Sequence, residues 1–304
     1  MIVLSIYHHD DYIAYNLYKV YGKKFILTET HSIYVEQTNL IATKRIIGKK
    51  NITSKVLQQD YQEIMSYEII IAHITDLINT PSIILHKISN GYREFGEISR
   101  INDESIDKLS QIYNSPNQIN ELSLSRKLVQ SFSNTKHYAC FDDSFNDKNN
   151  SLVSSKGLNF KSITHKLSDI TTKKITKAKV IIIHTDKSSH FINGLKNLDN
   201  YYFEIIPYVS EQSISSKVIA NKVCNAAIEI GGLDILVFSG NETYNNASLR
   251  EQICNHLEWI GINISNKPNK NNMIKLHKKS SLVQIFTLNP EPELAMLDML
   301  SDRL

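Results

Sequence analysis

Two polar turns carry the side chains best suited to chemistry in this sequence. The turn at 8–11 reads His-His-Asp-Asp, and imidazole and carboxylate groups both bind divalent ions. Adjacent residues of one hairpin turn rarely converge on a single ion, so a solvated turn is favoured there and no metal ligand is assigned. The turn after the apolar run at 179–184 contains Lys187, Ser188 and Ser189. One ammonium and two hydroxyl groups could hold an anion, although an ordinary exposed turn has the same composition.

A third candidate lies within residues 233–264, which have the pattern of a strand, a tight turn and a helix. The apolar run at 233–238 leads to Gly240, and Asn245 or Asn246 stands where a helix N-cap is expected. Apolar residues then recur at helical spacing until Gly261, a typical helix stop. Such a unit can present backbone N–H groups to a ligand, and it is equally common as plain α/β scaffolding.

Composition limits the classes of protein that this chain can represent. Its 304 residues suggest two domains, and 41% apolar and 21% charged residues are ordinary for a globular protein. A net charge of +3 with mixed signs does not favour nucleic acid. Cys140, Cys224 and Cys254 lie in apolar patterns, which favours reduced core thiols. Neither a signal peptide nor a run of eighteen apolar residues is seen, so a cytoplasmic protein without a membrane partner is expected.

The order of the predicted elements is similar in the two halves of the chain. In the first half, strands are predicted at 2–7, 12–19, 24–35, 82–88 and 137–141, and helices at 54–78, 103–113 and 118–132. In the second half, strands are predicted at 179–184, 190–195, 202–208, 233–238 and 282–287, and helices at 216–230, 246–260 and from 291. A three-strand meander followed by alternating helices and strands, present twice, predicts an α/β fold with two ribonuclease-H-like domains facing a cleft. We assign 1–150 to the first domain and 151–288 to the second, and expect the helix at 289–304 to pack on the first.

Several segments resemble motifs of the acetate kinase family. Residues 237–251 resemble V-F-[ST]-G-G-I-G-E-N and the R-E that follows it, through matches at Val237, Phe238, Ser239, Gly240, Asn245, Arg250 and Glu251. Residues 85–95 resemble H-R-[IV]-V-H-G-G-x-x-F, with matches at His86, Gly91 and Phe95. Residues 140–145 resemble V-F-D-T-A-F, and residues 289–294 resemble T-N-E-E-L. The resemblance covers nearly the whole chain and implies the duplicated fold of acetate kinases and actin-like ATPases.

The resemblance also implies roles for individual residues. Asp142 falls on the family's catalytic aspartate and Lys87 on its catalytic arginine, while Glu291 or Glu293 falls on a metal-linked glutamate. Gly240 and Asn245 fall on the adenosine-binding segment. Lys187 and Ser188 fall on a phosphate-binding turn. A purely structural role for Asp142, as a capping residue at a strand end, is equally consistent with the sequence.

Most positions that contact ligand in the family are altered. In the first hairpin the N-x-G-S-S-S-L-K motif is replaced, so that Tyr7 takes the place of the asparagine and Ala14 that of the lysine. Asp10 and Asp11 take two serine positions, and a like charge at about 4 Å repels phosphate by roughly 1 kcal/mol in water. An arginine fork is not replaced by the ammonium of Lys87. A segment that carries the family's second catalytic arginine is missing between 194 and 233.

These departures predict a catalytically silent relative of acetate kinase with a binding, regulatory or assembly role and no bound cofactor. An unidentified protein partner, or a second copy of the chain, is then expected. The alternative is a divergent phosphotransferase or nucleotide hydrolase that uses ATP and magnesium with Asp142, Lys87 and Lys187. A metal-dependent hydrolase built on the turn at 8–11 is the third hypothesis.

Overall fold

The computed structural model describes residues 1–8, 12–49, 51–60, 67–78, 80–89, 91–113, 116–142, 158–171, 178–186, 201–207 and 215–304. The chain forms two compact units. The first contains Met1–Asp143, Lys156–Leu158 and Pro292–Leu304, and the second contains Ser144–Ser155 and Asn159–Glu291. Among the described helices, none has the length and apolar character needed to cross a bilayer.

The first unit is built on an eight-stranded mixed sheet. Its strands are β1 (Ile2–His8), β2 (Tyr12–Tyr21), β3 (Lys24–Glu36), β4 (Asn39–Ile46), β5 (Ile52–Gln58), β6 (Ile83–Ile88), β7 (Ile98–Arg100) and β8 (Lys136–Phe141), in the order β5-β4-β3-β2-β1-β6-β8-β7. The helices are α1 (Tyr67–Leu77), α2 (Tyr92–Phe95), α3 (Asp103–Ser110), α4 (Pro116–Ser131) and the C-terminal α10 (Pro292–Ser301). Strands β1, β6 and β8 are parallel, so their carboxyl ends meet at one edge.

Alternation along the strands divides the core of this unit between the two faces of the sheet. On one face, Leu4, Ile84 and further apolar residues pack against α1 and α4. On the other face, Val3 and Leu85 pack against apolar residues of α10. Because successive side chains of a strand point to opposite faces, this division also decides the side to which each polar residue of β6 points.

The predicted helix at 54–78 is wrong in its first half, and strand β4 was missed. Residues 52–58 form β5, which pairs antiparallel with β4, and α1 begins only at Tyr67. The pairing explains the difference: Leu40 and Ala42 of β4 alternate into the core, and β-branched Ile52, Thr53 and Val56 suit an extended strand beside them. The partner strand lies elsewhere in the sequence, so the apolar spacing of 54–78 alone was ambiguous.

The second unit contains a four-stranded parallel sheet in the order β10-β9-β11-β12. Its elements are α5 (Leu158–Ile170), β9 (Val180–Asp186), β10 (Tyr201–Pro207), α6 (Ser216–Glu229), β11 (Ile235–Gly240), α7 (Asn241–Asn245), α8 (Ala247–His256), a 3₁₀ turn (Glu258–Ile260), α9 (Asn266–Lys270) and β12 (Gln284–Thr287). Residues of α6 and α8, among them Val223 and Ile253, pack on one face of this sheet.

The described strands of this unit do not form the expected three-strand meander. Strands β9 and β10 pair directly and in parallel, whereas neighbours in a meander are antiparallel. Parallel strands require a long connection, and residues 187–200 separate these two. The predicted strand at 190–195, and with it Lys187 and Ser188, lies outside the described residues.

Candidate functional site

The carboxyl ends of β1, β6 and β8 bring together the residues that fall on the family's catalytic positions. Lys87 of β6 has the same parity as Ile83 and Leu85, so it points to the face that α10 covers. Its Nζ lies 2.9 Å from Oδ2 of Asp142, which follows β8, and both side chains are largely buried. The other carboxylate oxygen of Asp142 accepts a hydrogen bond from the backbone N–H of Leu158 at 2.7 Å. Both oxygens of this carboxylate therefore have partners within the first unit.

Two further carboxylates influence Lys87. Burial disfavours its charged form, but Asp142, Glu121 and Glu293 outweigh burial and raise its pKa above the ordinary value. Glu121 of α4 accepts hydrogen bonds from the N–H of Ser89 at 2.9 Å and from its hydroxyl at 2.6 Å. Burial raises the pKa of Glu121 to about 7, against the opposing effects of Ser89 and Lys87. Glu121 was not predicted from the sequence, because its contact depends on how α4 packs beside β6.

The structure separates the two glutamates between which the sequence left a choice. Glu293 is buried on α10 and accepts a hydrogen bond from Nδ2 of Asn16 at 2.9 Å. It also interacts with the hydroxyl of Tyr7, whose pKa is raised first by burial and then by this carboxylate. Glu291 belongs to the second unit, where its Oε1 lies 2.6 Å from Nζ of the Lys166 ammonium. Glu293, rather than Glu291, therefore lies in the unit that contains Lys87 and Asp142.

In the second unit, Gly240 and Asn245 occupy the turn between β11 and α8. Gly240 has φ 79°, and a β-carbon there would collide with the backbone of Thr185 on β9. This glycine is required by close strand packing as well as by conformation. Asn245 is an exposed residue at the end of α7, whereas Asn246 is the N-cap of α8 and accepts from the N–H of Leu249 at 3.0 Å. Of the two asparagines that we considered, the cap is Asn246.

The motif arginine of this segment, Arg250, is fully buried and donates to neutral groups. Nε donates to Oδ1 of Asn269 at 2.8 Å, and Nη2 to the carbonyl of the same residue at 3.0 Å. Nη1 donates to the carbonyl of Thr243 at 2.8 Å and to that of Tyr244. Thr243 in turn binds Thr185 through its N–H at 2.9 Å. Arg250 thus joins α7, α8 and α9 internally.

His86, matched in the substrate motif, lies in a buried chain of hydrogen bonds. Nε2 of His137 is 3.0 Å from the carbonyl oxygen of Phe132, so it must be the protonated nitrogen that donates. When both imidazoles are neutral, Nδ1 of His137 accepts from Nε2 of His86 at 3.0 Å, and Nδ1 of His86 accepts from the hydroxyl of Ser125 at 3.1 Å. Burial lowers the pKa of both histidines, that of His86 strongly.

Protonation of the two histidines and protonation of Glu121 are expected to have opposite effects on the stability of the fold. Both histidines bind protons more weakly in the folded chain, so they reduce stability as the pH falls below about 6.5. Glu121 binds its proton more tightly when folded, and it increases stability as the pH falls from about 7 towards about 4.5. We therefore expect Glu121→Gln to steepen the loss of unfolding free energy between about pH 7 and about pH 5. Denaturant unfolding across this range checks the slope, and an unchanged slope would contradict the assignment.

The candidates from the two polar turns of the sequence lie outside the described residues: His9, Asp10, Asp11, Lys187 and Ser188. Among the residues that are described, no group of three or more His, Cys, Asp or Glu side chains is arranged to hold a metal ion.

Gly91, which was matched in the substrate motif, lies so close to the ring of Phe141 that a β-carbon would collide with it.

Sequence comparison finds local similarity to short-chain carboxylate kinases. The chain is 33% identical over 67 residues to a propionate kinase of Escherichia fergusonii, a match that covers 22% of this chain and 17% of that protein. It is 32% identical over 65 residues to an acetate kinase of Sulfurimonas denitrificans, covering 21% and 17% of the two chains. These matches thus span about a sixth of the relatives' length. No protein-family model matches the chain.

Comparison with solved structures shows the fold over the whole chain. The propionate kinase of Francisella tularensis subsp. tularensis SCHU S4 superposes with a TM-score of 0.72 at 16% identity, covering 100% of both chains. The acetate kinase of Entamoeba histolytica gives 0.67 at 15% identity, covering 99% of both. The duplicated ribonuclease-H-like fold predicted from the sequence is confirmed.

Proposed function

Because fold and sequence matches together support membership of the acetate kinase family, we propose that this chain is a catalytically silent relative that keeps the fold for binding, regulation or assembly. The observation that carries the proposal is the ion pair of Lys87 with Asp142. A catalytic carboxylate must be available to substrate or metal in the reacting state. Here an internal ammonium and the N–H of Leu158 each contact one of its two oxygens.

Other positions at which the family contacts ligand support the same proposal, because the residues that stand there cannot take over the family's role. Ala14, at the position of the phosphate-binding lysine, is buried opposite Tyr7 in the β1–β2 hairpin. Lys87, at the position of the catalytic arginine, offers an ammonium that does not replace an arginine fork. Losing one donor to a transition state costs about 2.7–4 kcal/mol. Several such losses together would leave little phosphoryl transfer, although they do not add simply.

One observation favours the alternative of a divergent phosphotransferase or nucleotide hydrolase. Lys87, Asp142, Glu121 and Glu293 interact near one edge of the sheet, and perturbed groups gathered in this way are a feature of active sites. In this alternative ATP and magnesium would be required. The same geometry is expected of a structural ion-pair network, which is the simpler account.

A coupled phosphotransfer assay separates the two. The purified chain should form no acyl phosphate from ATP, magnesium and acetate, propionate or butyrate above the buffer rate. An active acetate kinase serves as the positive control. Saturable turnover that Asp142→Asn abolishes would establish the phosphotransferase and end the proposal of a silent relative.

A further inference from the structure

Trp259 and Leu282 form an exposed apolar tip on the second unit. Trp259 is 77% exposed on the 3₁₀ turn, and Leu282 is 83% exposed shortly before β12. The N–H of Leu282 donates to the carbonyl of Gly261 at 2.9 Å, which holds the two segments together. A β-carbon at Gly261 would collide with the side chain of Leu282, so this side chain lies against the end of the turn that carries Trp259. Large apolar side chains that are exposed together mark interaction sites.

Exposed lysines flank this tip. The turn at 278–281 leads directly into Leu282, and the N–H of Lys278 at its start donates to the carbonyl of Asn263 at 2.9 Å. Lys278 and Lys279 are both exposed. Between residues 252 and 290 the sequence contains five lysines and a single acidic residue, Glu258. The apolar tip therefore lies in a region with a local excess of positive charge.

We propose that this tip binds the surface of an anionic lipid bilayer, with Trp259 and Leu282 in the interface and Lys278 and Lys279 at the headgroups. Tryptophan is enriched at the boundary between headgroups and acyl chains, because its ring is apolar and its indole N–H is polar. Lysines close to an anionic bilayer are attracted by its negative surface potential. We expected no membrane partner because the sequence has no spanning segment, but a surface contact does not require one.

The chemistry of the tip favours a bilayer over an acidic protein or a nucleic acid. A standard protein interface buries about 1,200–2,000 Å² in total, and two apolar side chains would supply only a small part of that area. A nucleic acid backbone would attract the lysines, but it would leave the side chain of Leu282 in water. Binding to a bilayer depends on buried apolar area together with attraction to anionic lipid, and the tip combines both.

Fluorescence of the full chain tests this proposal directly, because Trp259 is its only tryptophan. With vesicles of equal parts phosphatidylserine and phosphatidylcholine, the emission should move to shorter wavelength as the indole leaves water. Vesicles of phosphatidylcholine alone should give little shift. Raising the salt concentration should reverse most of the shift, because salt screens exposed charges. The binding should be weak and reversible, since a single small tip supplies it.

Removing the two lysines tests the electrostatic contribution. The combined substitution of Lys278→Ala and Lys279→Ala should weaken binding to the anionic vesicles about 25-fold, since each lysine near the surface contributes about fivefold. The matched control combines Lys23→Ala with Lys24→Ala, which removes the same charge from two adjacent exposed lysines of the first unit. This control should bind like the native chain.

Removing apolar side chains tests the contact of the tip. Leu282→Ala keeps the tryptophan probe and should weaken binding about tenfold, whereas Ile228→Ala, at a 78% exposed position on α6, should not. Trp259→Ala should bind as weakly as Leu282→Ala in vesicle cosedimentation, and circular dichroism should show that every variant is folded.

Three results would overturn the proposal. The first is the absence of a shift with anionic vesicles, and the second is equal binding by Leu282→Ala and Ile228→Ala. The third is a shift with polyglutamate or duplex DNA but not with vesicles, which would assign the tip to an acidic protein or a nucleic acid instead.

Discussion

Replacing Arg250 with alanine should lower the free energy of unfolding of the second unit by about 3–5 kcal/mol. The substitution would leave a cavity the size of a large side chain. It would also remove a donor from the buried carbonyl of Thr243, from the part-buried carbonyl of Tyr244, and from the carbonyl of Asn269, which still accepts from the N–H of Asn272. An unsatisfied buried acceptor costs about 1–3 kcal/mol in itself. Thermal or denaturant unfolding followed by circular dichroism measures the loss.

Two control variants distinguish the contribution of the Arg250 hydrogen bonds to stability from the contribution of its charge. Arg250→Lys keeps a cation but cannot reach acceptors in several directions, so it should lose most of the same stability. Lys267→Ala removes an exposed cation from α9, close in sequence to Asn269, and should have little effect. If Arg250→Ala unfolded like the native chain, while nucleotide binding were lost, Arg250 would be a ligand-binding residue rather than the internal tie described above.

Replacing Lys87 with methionine should destabilise the first unit by about 3 kcal/mol, because it leaves the carboxylate of Asp142 buried without its cation. The combined substitution of Lys87→Met and Asp142→Asn removes both charges and keeps an acceptor for the N–H of Leu158. It should therefore be more stable than the Lys87→Met variant alone. Chemical unfolding of the native chain, both single variants and the double variant measures this coupling.

An exposed ion pair provides the comparison for this cycle. Lys127 and Glu68 lie 2.9 Å apart with side chains 46% and 69% exposed, and Lys127→Met should leave unfolding nearly unchanged. If Lys87→Met were as harmless as Lys127→Met, the pair of Lys87 with Asp142 would not hold the folded chain together. The silent-relative account would then lose its main support.

The sequence was most informative where an element carries its own local signal. The helix that follows Gly240 was predictable because a glycine, an asparagine cap and helical apolar spacing all lie within one short segment. Its division was not predicted, since residues 241–245 form α7 and the predicted helix at 246–260 separates into α8 and a 3₁₀ turn. The alternating strands of the first hairpin were equally clear. Strands β4 and β5 were not, since their burial depends on partners that are distant in sequence. Local spacing in that region fits a helix as well as a strand.

The candidate site was predictable in its residues but not in its contacts. Asp142 and Lys87 could be located by resemblance, yet nothing in their spacing indicates that they form an ion pair. That contact follows from the parallel pairing of β6 with β8, which sequence alone does not fix. Glu121 and Ser89 were missed because their contact depends on how α4 packs beside β6. The choice between Glu291 and Glu293 also required the start of α10, because the exposed Glu291 precedes this helix and the buried Glu293, two residues later, lies within it.

Titration of the purified chain with ATP and magnesium in an isothermal calorimeter tests the central claim most directly, since binding must precede any phosphoryl transfer. The account predicts no saturable heat and no shift of the melting temperature at the highest nucleotide concentration. Saturable binding that depends on magnesium and is lost in the Asp142→Asn variant would contradict it.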